Sequence, residues 1–261
     1  MNIICCIKQV PSTDSVRFDR EKGTLIREGV TSEINPYDLF ALEAGVALKE
    51  QCGGELTVLT MGPPQAEEAL REAISRGADN GVLLSDRAFA GSDTLATSYI
   101  LAKAIEKLGT WDLVLCGKQT TDGDTAQVGP GLAQRLGVPC ATCVESIELI
   151  EEGKVRINRR LEEGTYTLAC QLPMVMTIEM GANSPRIPSL RGKMRAKKAE
   201  IPCLTAESIG VDQVKIGLNG SPTRVSSTYV PEFSGKHELL QGSPKEQVDA
   251  LIGILREAGI L

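Results

Sequence analysis

Residues 117–131 read GKQTTDGDTAQVGPG, a polar stretch punctuated by glycine. It follows the apolar run Asp112-Leu113-Val114-Leu115-Cys116 and leads into a helix-like stretch, residues 126–136. A buried strand that ends in glycine and turns into a helix start leaves backbone N–H groups free, and the helix dipole adds partial positive charge there. That geometry binds phosphate. The stretch matches neither the GxxxxGK[ST] loop nor the GxGxxG fingerprint. It indicates a nucleotide site of another type. Read for its turn residues alone, TDGD is a solvated turn.

Working back from this loop, the chain alternates strand and helix. Residues 2–8, NIICCIK, read as a short buried strand. Asn35-Pro36-Tyr37-Asp38 opens a helix, with Asn35 as cap, Pro36 at N1 and Asp38 in the first turn. That helix runs to about Gln51 and stops at Gly53-Gly54. Strands follow at 55–60, 81–84 and 111–116. Helices lie between them, one over 64–76 closed by Gly77 and one capped by Ser92 or Asp93 and ending near Gly109. This alternation predicts an α/β fold, a parallel sheet with helices on both faces. Ligands of such sheets bind beyond the carboxyl ends of the strands. Lys8-Gln9-Val10-Pro11, Met61-Gly62-Pro63 and Gly117-Lys118-Gln119 all fall at those ends.

Beyond Val138 the pattern changes. Strands are expected at 140–150, 154–161, 165–171 and 174–179, with Glu151-Glu152-Gly153 and Glu162-Glu163-Gly164 as hairpin turns. Residues 199–242 hold few helix signals and read as an extended arm lying on another protein. Ser243-Pro244-Lys245-Glu246 supplies a capping box with Pro at N1. The terminal helix shows Val248, Leu251, Ile252 and Leu255 at amphipathic spacing.

Composition narrows the chemistry. The chain has 261 residues, enough for one α/β domain with an extension. Aromatic residues make up 3%, so Ile, Val, Leu and Ala must fill the core. A formal charge of −6 argues against a nucleic-acid partner. No apolar run reaches the ~18 residues of a membrane span. The Met1-Asn2-Ile3-Ile4 start enters a strand directly, so no secretory signal is expected and the location is read as cytoplasmic. The eight cysteines are expected to be buried, reduced thiols. Cys140-Ala141-Thr142-Cys143 has CxxC spacing, but without a second pair or a nearby His it is read as core thiols, and no metal is expected. A single histidine, His237, makes His-dependent catalysis improbable, and it is read as having no chemical role.

Taken in order, Lys8-Gln9-Val10-Pro11, Asn35-Pro36, Met61-Gly62-Pro63, Arg76-Gly77-Ala78-Asp79, Gly117-Lys118-Gln119 through Gln127, and Ser184-Pro185-Arg186 through Lys197-Lys198 resemble the β subunit of electron-transferring flavoproteins. The resemblance spans the whole chain. It implies an adenine-nucleotide-binding, Rossmann-like domain over 1–198. It also implies an obligate complex with an α subunit that carries FAD, on which the arm and helix of 199–261 pack. The family divides by the nucleotide in the β subunit: structural AMP in one branch, a second FAD in the electron-bifurcating branch. The AMP-type loop has a larger acidic residue at the position of Gly123 and Asn at the position of Ala126. The run Asp122-Gly123-Asp124-Thr125-Ala126-Gln127-Val128-Gly129 resembles the bifurcating type. Glycine at 123 removes a side chain and permits unusual φ. Asp122 and Asp124 sit awkwardly beside a phosphate, and are read as helix caps or as acceptors from a ribose hydroxyl.

In that branch the β-subunit FAD takes a hydride from NADH. It passes one electron to the α-subunit flavin and one to a low-potential acceptor such as ferredoxin, or the reaction runs in reverse. The flavin carries the chemistry, so no catalytic side chain is expected. By position, the resemblance assigns Cys6, Lys8, Asn35, Asp38, Met61, Cys116, Gly117, Asp122, Gly123, Asp124, Thr125, Ala126, Gln127 and Val128 to the cofactor site, with Asp38 bonding a ribose or adenine group. The strongly basic residues 184–198 are read as a docking loop for a partner flavoprotein dehydrogenase. Leu190 is the anchor there, with Arg191, Lys193, Met194 and Arg195 around it. The competing reading of the whole protein is a non-bifurcating, AMP-binding structural subunit. An ATP-dependent enzyme would need an SGGxDS-type loop after the first strand, which Lys8-Gln9-Val10-Pro11 does not provide.

Overall fold

A computed structural model describes residues 1–12, 17–19, 24–26, 32–151, 153–226 and 239–261, and leaves out the side chains of 17–19 and 24–26. His237, Glu152 and arm residues 227–238 lie outside the described residues. The chain forms two units, Met1–Ser226 and Ser227–Leu261.

The first unit opens with β1 (Asn2–Cys6), β2 (Gln9–Pro11), β3 (Arg17–Asp19), β4 (Thr24–Ile26) and β5 (Ser32–Ile34). The short strands pair antiparallel, β2 with β5 and β3 with β4. Helix and strand then alternate through α1 (Pro36–Cys52), β6 (Glu55–Met61), α2 (Glu67–Arg76), β7 (Asn80–Leu84), α3 (Thr94–Leu108), β8 (Leu113–Gly117) and α4 (Val128–Leu136). β9 (Cys140–Glu151), β10 (Lys154–Leu161), β11 (Gly164–Gln171) and β12 (Met174–Ile178) follow, then α5 (Leu190–Lys198), β13 (Cys203–Leu204) and α6 (Ala206–Ile209). The second unit carries α7 (Pro244–Glu257).

One sheet of nine strands, ordered β11-β10-β9-β12-β8-β1-β6-β7-β13, organises the first unit. All neighbours from β9 to β13 in this order run parallel. β10 and β11 add antiparallel to β9 as the expected hairpins. The period-two alternation of each strand divides the core. Ile3, Cys5, Leu113 and Leu115 pack with Leu42 and Val46 of α1 and Leu70 and Ile74 of α2. Ile4, Cys6, Val114 and Cys116 pack with Ile100 and Ile105 of α3 and Leu132 of α4. Both faces of the central strands are therefore apolar, as their near-continuous hydrophobic sequences require.

The strand order places the site. The chain adds β6 and then β7 on one side of β1, then returns to lay β8 on the other. Crossovers that diverge from β1 in opposite directions leave a crevice at the carboxyl ends of β1 and β8.

Several expectations change in detail. The helix over 64–76 begins as a 3-10 turn, Pro64–Ala66, before α2. α4 starts at Val128, two residues later than read, because Ala126 is left-handed (φ 54°) and cannot belong to a right-handed helix. The unstructured arm does not begin at 199. β13 extends the sheet beside β7, Ile209, Val211 and Ile216 are buried in the core, and the compact unit runs to Ser226. These segments are too short to show a periodic signal. Of the eight cysteines, Cys5, Cys6 and Cys116 are buried; Cys52, Cys140 and Cys203 are exposed, and Cys143 and Cys170 lie between. Cys140 and Cys143 are thus not core thiols. Cys143 adopts φ 57° where β9 bulges against β10 and β12, which breaks the simple alternation. Asp93 caps α3, accepting from Leu95 and Ala96 N–H at 3.0 and 3.1 Å. In α7 the capping box forms, with Ser243 N–H donating to Glu246 at 2.7 Å.

Gly129 fixes how closely α4 can approach the sheet. A Cβ there would sit 2.3 Å from Thr177 Cγ2 of β12. Gly129→Ala is expected to push α4 outward and destabilise the chain by about 1–3 kcal/mol, as overpacking does. Urea unfolding measures the loss, and an unchanged midpoint would show that the helix position is not set by this contact.

Candidate functional site

At the crevice, the first turn of α1 faces two strand ends at once. Asp38 is 4% exposed, and its carboxylate accepts from Lys8 N–H at 2.7 Å and Gly117 N–H at 3.1 Å. One carboxylate thereby ties the chain leaving β1 to the end of β8, directly across the switch point. Both oxygens are held by backbone donors, which gives Asp38 a clamping role between the two strand ends. Gly117 is required for this approach, since a Cβ would lie 2.3 Å from Asp38 Oδ1. Burial pushes the Asp38 carboxyl up to about 7, with the Lys8 N–H, the Asn35 amide and the Gly117 N–H pulling the other way.

Asn35 holds the next stretch of loop. It is fully buried but makes no side-chain cap to α1. Its Nδ2 instead donates to Gln119 O at 2.9 Å and its Oδ1 accepts from Thr121 N–H at 3.2 Å. The cap expected from the sequence is displaced by a tertiary use of the same amide. Gln119 donates to Tyr37 Oη at 3.3 Å and to Asp124. Asn35, Tyr37 and Asp38, all at the start of α1, therefore fix Gly117, Gln119 and Thr121.

The loop beyond them faces solvent, with residues 121–127 exposed. The unusual backbone lies at Asp124 (φ 51°) and Ala126 (φ 54°), not at Gly123, whose φ is not in the positive region. A Cβ at 123 would meet only Thr120 Oγ1, at 3.2 Å. Alanine in the left-handed region costs roughly 1–2 kcal/mol, and Asn tolerates it better. This strain sits in the loop read as phosphate-binding. Alternating backbone handedness of this kind turns successive N–H groups to one side, an arrangement that favours anions. Among the described residues, none of the N–H groups of Thr125, Ala126, Gln127 or Val128 donates to another chain atom. The acidic residues are accounted for without capping α4. Lys8 Nζ bonds both Asp122 oxygens at 2.7 and 2.6 Å, and Asp124 accepts from Gln119. Gln127 is the N-cap of α4 and its side-chain oxygen accepts from Thr94 Oγ1 at 3.0 Å, which brings the N-termini of α3 and α4 together.

Cys6 and Cys116 are cross-strand partners on the crevice floor. Both are buried, and the side-chain hydrogen bond between Cys116 and Cys6, followed by burial, pushes the Cys116 thiol up. Neutral thiols of this kind act as small apolar walls. Met61 ends β6 on the same face. Tyr37, Thr94 and Gln119 were not assigned to the cofactor site from the sequence. Gln119 lies within the quoted loop, but nothing local marks Thr94, which reaches the site only because α3 packs on α4.

Residues 184–198 form a second surface. The expected loop is largely helix α5, capped by Ser189, whose Oγ accepts from Gly192 N–H at 3.0 Å. Two of its cations are structural. Arg186 pairs with Glu43 and Glu50 at 2.9 and 2.7 Å, and Arg195 donates to Ile74 O and Ala78 O at 2.8 and 2.6 Å. Arg195 is thus an anchor of α5 onto the end of α2, where the sequence reading placed it among the docking cations. Arg191 and Lys193 are exposed. Ile187, Leu190 and Met194 stand 86%, 78% and 58% exposed.

A parallel sheet whose switch-point crevice is clamped shut below and lined by free amides above belongs among the nucleotide-binding α/β proteins. Comparison with known proteins makes this specific. Residues 22–209 match the electron transfer flavoprotein domain. The chain is 47% identical over 262 residues to the electron transfer flavoprotein subunit beta of Thermoanaerobacterium thermosaccharolyticum, with both chains covered completely. It is 46% identical over 263 residues to the caffeyl-CoA reductase-Etf complex subunit CarD of Acetobacterium woodii, again with complete coverage. Protein FixA of Azorhizobium caulinodans is 46% identical over 260 residues, 97% of this chain and 92% of that one. The chain belongs to the electron transfer flavoprotein β-subunit family. Among the described residues no helix is long and apolar enough to cross a membrane.

The Asp38 clamp has a pH signature. Its folded value of about 7 lies above the ordinary 3.8, so its stabilising contribution is complete below about pH 4 and is lost as pH rises through about 7. Asp38→Asn keeps the shape but presents an NH2 group to one backbone donor, a loss of about 1–3 kcal/mol. The wild-type advantage over Asp38→Asn in denaturant unfolding is expected to shrink between roughly pH 4 and 7. An advantage that grew over that range would contradict a carboxyl raised by burial.

Proposed function

We propose that this chain is the β subunit of an electron-bifurcating electron transfer flavoprotein, that it holds FAD in the β1–β8 crevice, and that it works with an FAD-bearing α subunit, NADH, ferredoxin and a flavoprotein dehydrogenase in the cytoplasm. The observation that carries the reading is the loop at 122–127. Gly123 has no side chain, and Ala126 holds a left-handed backbone with nothing beyond Cβ. A diphosphate needs more main-chain approach than a monophosphate, and both residues leave the loop amides bare. An Asn at 126 would be more comfortable in that conformation and would offer a polar group to a monophosphate. The relative CarD, named as part of a caffeyl-CoA reductase-Etf complex, supports a dehydrogenase partner.

The residues fit the cofactor. The N–H groups of Thr125–Val128 and the Thr125 hydroxyl would take phosphate oxygens, with Lys8 nearby as counter-charge and Cys6, Cys116 and Met61 as apolar wall. FAD supplies hydride acceptance and one-electron transfer when bound. The chain's own part is to hold it. Asp38 and Asn35 keep residues 117–121 in register with β1, so the amides are set before any ligand arrives. The arm and α7 would pack on the α subunit, which would cover Val248 and Leu251, 54% and 46% exposed in the isolated chain. The competing reading, structural AMP, is separated by nucleotide release from the purified αβ complex. Two FAD and no AMP per heterodimer are expected; one FAD and one AMP would overturn the assignment.

Docking of the dehydrogenase is assigned to α5, where Ile187, Leu190 and Met194 form an apolar strip beside Arg191 and Lys193. Because Arg186 and Arg195 fasten this segment to α1 and α2, the strip is preorganised. Leu190→Glu is expected to cost about 2 kcal/mol of association, roughly thirtyfold in kcat/KM for partner reduction, with flavin content unchanged. Unchanged partner turnover in a fully flavinated variant would remove α5 from the interface.

A further inference from the structure

The loop that would receive phosphate carries its own carboxylate on the lysine that would meet the phosphate. Lys8 leaves β1 at the crevice and chelates both Asp122 oxygens at 2.7 and 2.6 Å. Both side chains are partly exposed, 45% for Lys8 and 33% for Asp122, so the pair is reachable from solvent. Lys118, the other lysine at this end of the sheet, is already bound to Glu179 at 3.0 Å. The pair also joins parts that are otherwise held separately. Lys8 N–H is fixed by the buried Asp38, whereas Asp122 lies beyond the last residue that Asn35 grips, Thr121. The carboxylate is thus on the freer part of the loop and the ammonium is on the fixed part.

We infer that Asp122 is an internal counter-ion that stands in for the ligand's phosphate on Lys8 and sets the nucleotide's affinity by having to be displaced. A partly exposed ion pair is worth little by itself, on the order of 0–1 kcal/mol. A carboxylate and a phosphate cannot share one ammonium without repulsion, however, so the ligand meets both the lost pair and the like charge. Release of Asp122 also frees the residues that precede the left-handed Asp124 and Ala126, which lets the loop settle on the bound phosphate. This rests on the crevice being the nucleotide site.

The test is equilibrium binding of AMP and of FAD to the αβ complex stripped of the β-subunit nucleotide, for wild type, Asp122→Asn, Lys8→Met and the double variant. Asp122→Asn keeps the shape of the side chain and removes its charge. It is expected to tighten both ligands by roughly three- to tenfold, with the gain fading at high salt as screening removes the repulsion. Lys8→Met is expected to weaken both. In the double variant the benefit of Asp122→Asn should fall below its value with Lys8 present, because no ammonium remains to be freed. Weaker binding by Asp122→Asn, or an equal gain with and without Lys8, would overturn the counter-ion role. A wild-type complex that binds neither AMP nor FAD in this subunit would instead refute the nucleotide site itself. Circular dichroism spectra matching wild type exclude misfolding as the cause of any loss.

Discussion

A single buried carboxylate holds the crevice of this protein together. Doubly wound sheets open at the switch point because the two crossovers beside it leave in opposite directions. The backbone at that opening has N–H groups with no ladder partner, and in a buried setting each must be satisfied. Asp38 satisfies two of them, from the exit of β1 and the end of β8. Everything above it inherits that constraint. Gly117 has to lack a side chain, α1 has to start where it does, and Asn35 is drawn away from its helix to hold Gln119 and Thr121.

On this fixed floor the loop can afford local strain. Asp124 and Ala126 hold left-handed backbone, and the amides that follow them point away from any partner among the described residues. Strain of this kind persists only where the surroundings over-determine it, and it gathers at ligand sites. Here the surroundings are the Asn35 and Tyr37 contacts on one side and the seating of α4 against Thr177 and Ser98 on the other, where Gly129 and Gly131 permit close packing. The Lys8–Asp122 pair then balances charge at a mouth where two acids would otherwise repel an anion.

The basic segment at 184–198 works by the same separation of holding and presenting. Arg186 and Arg195 spend their hydrogen bonds inward, on Glu43, Glu50 and the end of α2. The apolar side chains are left outward. Composition alone counts every cation as available for a partner. Geometry picks out the cations that fasten the segment.

What the amino-acid order determined by itself was the succession of elements. Short apolar runs bounded by glycine, Asn-Pro and Asp helix starts, and Glu-Gly hairpin turns are local physics, so the parallel sheet and the hairpins were legible residue by residue. Tertiary structure decided the uses of individual polar groups. Whether Asn35 caps a helix or grips a loop 84 residues away, whether Asp38 meets ligand or backbone, and which arginine is an anchor depend on partners distant in sequence. The strained positions, 124 and 126 in place of 123, and the packing of 199–226 against the sheet were hidden for the same reason. A hydrogen bond is short and directional, and its partner is set by the folded chain's geometry, which no local pattern of residue types encodes.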